Sequence, residues 1–141
     1  MLDRGPAVKL LYVEDDPALG DIVRKTLEPQ GYQTYLAAGR REFADAIKVE
    51  YFDAVLVDHH LHDGSGLDII QQYAKNEAGP AFIMVTGEEN TSLAVAAMRA
   101  GAMDYMTKES ELHFIDMLPV VIGNAIERRA IRVRERSLQG E

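Results

Sequence analysis

The sequence predicts an α/β domain with a parallel sheet covered by helices on both faces. Three observations carry this reading. The stretches 7–13 (AVKLLYV) and 81–85 (AFIMV) are nearly continuous apolar runs, the pattern of strands buried on both sides rather than one. Strand-like runs alternate with helical stretches of about 10–15 residues, as right-handed βαβ crossovers require. A chain of 141 residues is long enough to bury one real core and too short for two.

The elements follow in order. Ala7–Val13 is the first strand, and Asp16-Pro17 reads as an N-cap followed by proline at the first helical position. The helix it opens places Leu19, Ile22, Val23 and Leu27 at helical spacing, and Pro29 and Gly31 stop it. Gln33–Ala37 is the second strand, and Arg40–Val49 the second helix with Phe43, Ala46 and Ile47 inward. Ala54–Val57 is the third strand, and Gly66–Asn76 the third helix, built on Leu67, Ile70 and Tyr73. The fourth strand is followed by the alanine-rich helix Ser92–Arg99, and Asp104–Met106 is a short fifth strand. A long last helix contains Pro119, which is expected to start it as a first-turn residue and to leave Glu111–Asp116 as a separate turn.

Composition excludes several classes of function. With no cysteine there is no disulfide framework, thiolate metal site or Cys nucleophile, which fits a cytoplasmic setting. No apolar run reaches the roughly 18 residues of a membrane span. The formal charge is −8, with a local balance of +3 over residues 127–136 and −11 elsewhere. That distribution suits a cation site and a basic partner better than a nucleic-acid face.

In an open parallel sheet, ligands sit beyond the carboxyl ends of the strands. The first strand ends in Glu14-Asp15-Asp16, the third in Asp58, the fourth in Thr86, and the fifth runs on to Lys108. Carboxylates that crowd together repel unless a hard dication joins them, and oxygen ligands suit magnesium. A lysine and a hydroxyl at the same edge complete what phosphoryl transfer to a carboxylate needs. Asp16 is assigned to capping alone.

These motifs in this order resemble the response-regulator receiver domain over roughly residues 7–127. The matching residues are Glu14-Asp15 after LLYV, Asp58 closing FDAVLVD, Gly66 eight residues on, Thr86-Gly87 closing FIMVT, and AGAMDYMTK ending in Lys108. The resemblance implies a flavodoxin-like, doubly wound sheet of five parallel strands in the order 2-1-3-4-5 with five helices. It implies that Asp58 is the phosphoacceptor, that Asp15, Asp58 and the His60 backbone carbonyl ligate Mg2+, and that Glu14 acts mainly through metal-bound water. Thr86 is the implied switch hydroxyl, Lys108 the phosphate-pairing amine and Tyr105 the switch aromatic, while His60 and Glu88 tune dephosphorylation. The implied donor is a sensor histidine kinase or a histidine phosphotransfer protein. A C-terminal output domain and a homodimer are left open. Neither membrane association nor direct nucleic-acid binding is expected, and no substrate turnover.

The sequence departs from the family pattern at three places. His59-His60-Leu61-His62 follows Asp58, Glu109 rather than proline follows Lys108, and Pro119 interrupts the last helix. Without proline a cis bond costs about 2.5–4 kcal/mol, so Lys108–Glu109 is expected to be trans. Three rival readings are weaker. His60-Leu61-His62-Asp63 misses the spacing of a metallo-β-lactamase-like motif by one residue, and the three histidines read as solvated loop residues. A haloacid-dehalogenase-like phosphatase needs an aspartate where His60 stands. A pseudo-receiver that never takes phosphate is disfavoured because all five positions are filled. Residues 128–141 read as a helical extension of a receiver spanning residues 1–127, and as the connector to an output domain.

Overall fold

In the computed structural model, which describes residues 7–87, 89–108 and 111–139, five strands form one parallel sheet. They are β1 (Val8–Val13), β2 (Tyr32–Ala37), β3 (Ala54–Asp58), β4 (Ala81–Thr86) and β5 (Asp104–Thr107), in the order β2-β1-β3-β4-β5. The helices between and after them are α1 (Pro17–Leu27), α2 (Arg40–Val49), α3 (Gly66–Tyr73), α4 (Thr91–Ala100) and α5 (Glu111–Gln139). The expected order and element count are both observed.

Side chains alternate across a strand, and the two sets bury against different helices. Leu11, Val13, Val55, Val57, Phe82 and Met84 pack with Phe43, Ile69, Ile70, Leu93 and Ala97 from α2, α3 and α4. Leu10, Tyr12, Ala54, Leu56, Ile83 and Val85 pack with Val23 and Leu27 of α1 and with Phe114, Leu118, Ile122 and Ala125 of α5. Two covered faces are why these strands read as unbroken apolar runs.

Local chemistry sets the helix ends. The Asp16 carboxylate accepts from the backbone N–H groups of Ala18 and Leu19, and Asn90 and Ser65 cap α4 and α3 in the same way. Gly101, at φ 114°, closes α4 in the left-handed region that suits glycine. Two inward positions differ from expectation. Ile22 is 43% exposed, and Gly20 takes the inner place, with Leu36 at 3.4 Å from where a Cβ would stand. In α3 it is Ile69 and Ile70 that are fully buried, with Leu67 and Tyr73 at the margin.

The last helix corrects the sequence reading. Pro119 lies inside one continuous α5, and Glu111–Asp116 is its beginning, not a separate turn. Proline removes one intrahelical hydrogen bond, but Phe114, Ile115, Leu118 and Ile122 are buried on both sides of it, and that packing carries the helix through.

α3 also ends at Tyr73, short of the expected Asn76. The carbonyls beyond its end are taken by Arg129 of α5, whose guanidinium donates to the Ala74 and Asn76 oxygens. Arg129 is only 8% exposed, and Arg136 adds an ion pair to Glu77 at 3.2 Å. Arg129→Ala leaves two carbonyls without their charged donor, so it is expected to destabilise the fold by about 1–3 kcal/mol. A lowered urea midpoint would report this, and an unchanged midpoint would refute the anchoring role.

Candidate functional site

Strand register builds the site. Val13 pairs with Val57, so Glu14 emerges beside Asp58; Asp58 pairs with Val85, so Thr86 stands one residue further out. β5 extends the same edge, with Thr86 opposite Thr107 and the Lys108 N–H donating to the Thr86 carbonyl at 2.8 Å. The carboxyl ends of four strands thus deliver Glu14, Asp15, Asp58, Thr86 and Lys108 to one place.

Carboxylate oxygens of Glu14, Asp15 and Asp58 lie within 4.8 Å of one another, and this is a donor set able to hold a metal ion. Asp15 is exposed, while Glu14 and Asp58 are 6% exposed each. Lys108 Nζ is 2.8 Å from Glu14 Oε1 and 3.6 Å from Asp58 Oδ2. The amine therefore rests closer to Glu14 than to Asp58. Tyr12, which the sequence presents only as part of an apolar run, donates its hydroxyl to the same Glu14 oxygen at 3.1 Å.

The charges are unequal in environment. Burial, and then the Glu14 charge, push the Asp58 carboxyl up to about 6, against the opposing pull of Lys108. Burial also acts upward on Glu14, but its bond to Lys108 holds it below the ordinary carboxylate range. Burial works against the Lys108 ammonium, yet Glu14 and Asp58 more than offset it and keep it charged. The donor set fits a hard dication, since it joins buried carboxylates that one lysine only partly balances.

Thr86 is fully buried, and Tyr105 is half-buried against the core beneath α2–α4. His60 is exposed and opens a two-residue antiparallel ladder, pairing with Ser65 while Leu61 pairs with Gly64. His62 is exposed and His59 half-buried, and among the described residues no histidine joins a metal-binding group. Gly66 is required where it stands, because a Cβ there would lie 2.5 Å from the Asp58 carbonyl oxygen. Glu88 and the Lys108–Glu109 bond lie outside the described residues.

Residues 10–117 match the model of the response regulator receiver domain. The chain belongs to that family. The receiver is 31% identical over 133 residues to response regulator protein PilR of Pseudomonas aeruginosa, an alignment covering 94% of this chain and 28% of that protein. It is 32% identical over 124 residues to the acid tolerance regulatory protein ActR of Rhizobium meliloti, covering 88% of this chain and 63% of that one. The receiver thus spans less than two thirds of either relative. A CheY-like response regulator receiver domain protein from Methanospirillum hungatei has 28% identity and a TM-score of 0.74, with 86% of this chain and 98% of that chain covered. Membership makes this a signalling domain of two-component response regulators, and nothing in the site favours a degenerate, non-phosphorylated variant. Among the described residues no helix is long and apolar enough to cross a membrane.

One pH dependence follows from the raised Asp58. Its folded pKa lies above the ordinary carboxyl value, so the protonated form is favoured, and the stability it contributes is lost as pH rises through about 6. A cation held by this cluster needs the ionised form, so divalent-cation affinity is expected to strengthen as pH climbs to about 6 and then level off, with a proton released on binding below that point. Calorimetric titration in buffers of different ionisation enthalpy measures both. Affinity independent of pH across that range would contradict the assignment.

Proposed function

We propose that Asp58 of this receiver accepts a phosphoryl group from a phosphohistidine, donated by a sensor histidine kinase or a histidine phosphotransfer protein. The observation that carries the proposal is the meeting of three carboxylates with the Lys108 amine at one sheet edge. An Asp58 oxygen attacks phosphorus, the phosphorus–nitrogen bond breaks, and the electron pair leaves with the imidazole nitrogen. Asp15, Asp58 and the His60 carbonyl would hold Mg2+, with Glu14 acting through water. Bound there, the ion neutralises charge on the phosphoryl oxygens. Lys108 exchanges Glu14 for the phosphoryl group, a move supported by its position between the two acids.

Thr86 follows the phosphoryl group and gives Tyr105 room to turn inward, which reshapes the face made by α4, β5 and α5. This is a two-state element biased by a local charge change. Self-phosphotransfer and slow autodephosphorylation, tuned by His60 and Glu88, are the only chemistry assigned. The reading places the receiver in the cytoplasm at residues 1–127, with 128–141 leading toward an output domain and a homodimer as one form of the output. A small-molecule phosphodonor with Mg2+, followed by intact mass, tests it. One acid-stable, base-labile phosphate is expected, and an unmodified chain would overturn it.

Thr86→Ala is expected to leave phosphorylation in place but uncouple it from Tyr105, because the hydroxyl relays rather than receives. Amide-shift maps before and after phosphorylation read this directly. The same changes around Tyr105 in the variant as in the native receiver would contradict it.

A further inference from the structure

α2 begins unlike the helices before and after it. α1, α3 and α4 are each capped by the side chain immediately preceding them, Asp16, Ser65 and Asn90. The position before α2 is Gly39, which has no side chain to offer. The first donors of a helix need acceptors, and here they find them 22 and 23 residues downstream. Asp63 Oδ1 accepts from the Arg40 N–H at 2.7 Å, and Oδ2 from the Arg41 N–H at 3.1 Å. The carboxyl is held below its ordinary range by those two bonds. Gly39 makes the approach possible: a Cβ there would stand 2.5 Å from His62 Cε1 and 2.6 Å from Asp63 Oδ1.

Asp63 sits at the tip of the short hairpin that follows Asp58. His62 and Asp63 form its turn, and His60 opposite Ser65 forms its base. The base is tied down by the Gly66 N–H donating to the His59 carbonyl at 2.9 Å. A hairpin only two rungs long has little slack, so fixing its tip fixes the direction of the backbone at His60.

We propose that Asp63 is a positioning residue for the cation site: by capping α2 it holds the loop that presents the His60 carbonyl, and it couples cation binding to the order of the α2 N-terminus. This rests on the reading of His60 given under Proposed function. Coupling of this kind is reciprocal. Cation binding slows amide exchange at Arg40 and Arg41, and removal of the cap weakens cation binding.

The test titrates Mg2+ into the native chain, Asp63→Ala, Asp63→Asn and Glu42→Ala, with amide exchange followed at Arg40 and Arg41. Asp63→Ala is expected to bind Mg2+ about tenfold more weakly, the scale of a lost outer-shell partner. Asp63→Asn keeps one of the two oxygen acceptors and puts an amide NH2 in place of the other, so its Mg2+ affinity should fall between those of Asp63→Ala and the native chain. Glu42→Ala removes the acceptor of the Ala38 N–H, loosening the same corner from the side of α2, and should leave Mg2+ affinity unchanged. Native affinity in Asp63→Ala despite fast exchange at Arg40 and Arg41 would overturn the proposal, as would an equal loss in Glu42→Ala. If the native chain fails to bind Mg2+, the cation site itself is misassigned and the coupling falls with it.

Discussion

Asp58→Asn should yield no phosphorylated chain under conditions that fully modify the native receiver. The substitution keeps size and shape but replaces the carboxylate proposed as the nucleophile with an amide, and neither neighbouring acid is placed to stand in. Glu14 is buried, its Oε1 accepts from both Lys108 and Tyr12, and its Oε2 accepts from the Asp16 N–H. Asp15 is exposed, and no ion pair joins it to Lys108 among the described residues, whereas Asp58 lies 3.6 Å from that amine. The amide also removes the repulsion between Asp58 and Glu14, so the variant should unfold at the same or higher urea concentration. Intact mass and a urea curve test both halves. Native-level phosphate on the variant would sink the assignment.

Asp15→Ala should abolish magnesium-dependent phosphorylation while leaving the fold intact. Asp15 is the exposed member of the carboxylate triad, so its removal disturbs no core packing. What it takes away is one of the two carboxylates proposed as direct ligands, a loss that a weak hard-cation site tolerates poorly. Without the ion, the charge on the incoming phosphoryl group meets Glu14 and Asp58 with only Lys108 to balance them. Phosphorylation rate against Mg2+ concentration is the measurement. A variant with the native rate and the native Mg2+ dependence would show that the ion, if bound, is held elsewhere.

Much of this site was legible in the sequence because a parallel sheet aligns its strand ends. Glu14, Asp58, Thr86 and Lys108 each follow an apolar run, and the register Val13 to Val57 and Asp58 to Val85 brings them together. What was not legible depends on distant partners. The Tyr12 hydroxyl is hidden in a run that reads as pure core. Asp63 looks like an ordinary turn residue until the N-terminus of α2 is placed beside it. Pro119 was misread because the local rule, that proline starts helices, yields to the burial of Phe114, Ile115 and Leu118 around it. The partner of the carbonyls past the end of α3 was equally out of reach, since Arg129 lies more than fifty residues further along.

The span of α5 gives the Arg129 anchor a mechanical meaning. At 29 residues it is about 43 Å long, with Phe114 lining a cavity beside Lys108 near the carboxylate cluster and Arg129 at the Ala74 end of α3. A rod pivoting freely at one end would amplify any tilt into a large sweep at the other. Arg129 and Arg136 tie α5 to Ala74, Asn76 and Glu77, just past the end of α3, a pair of attachments that resists tilting as a strut does. A displacement at the Phe114 end, if the proposed phosphorylation produces one, would then turn this helix about its own axis more readily than swing it.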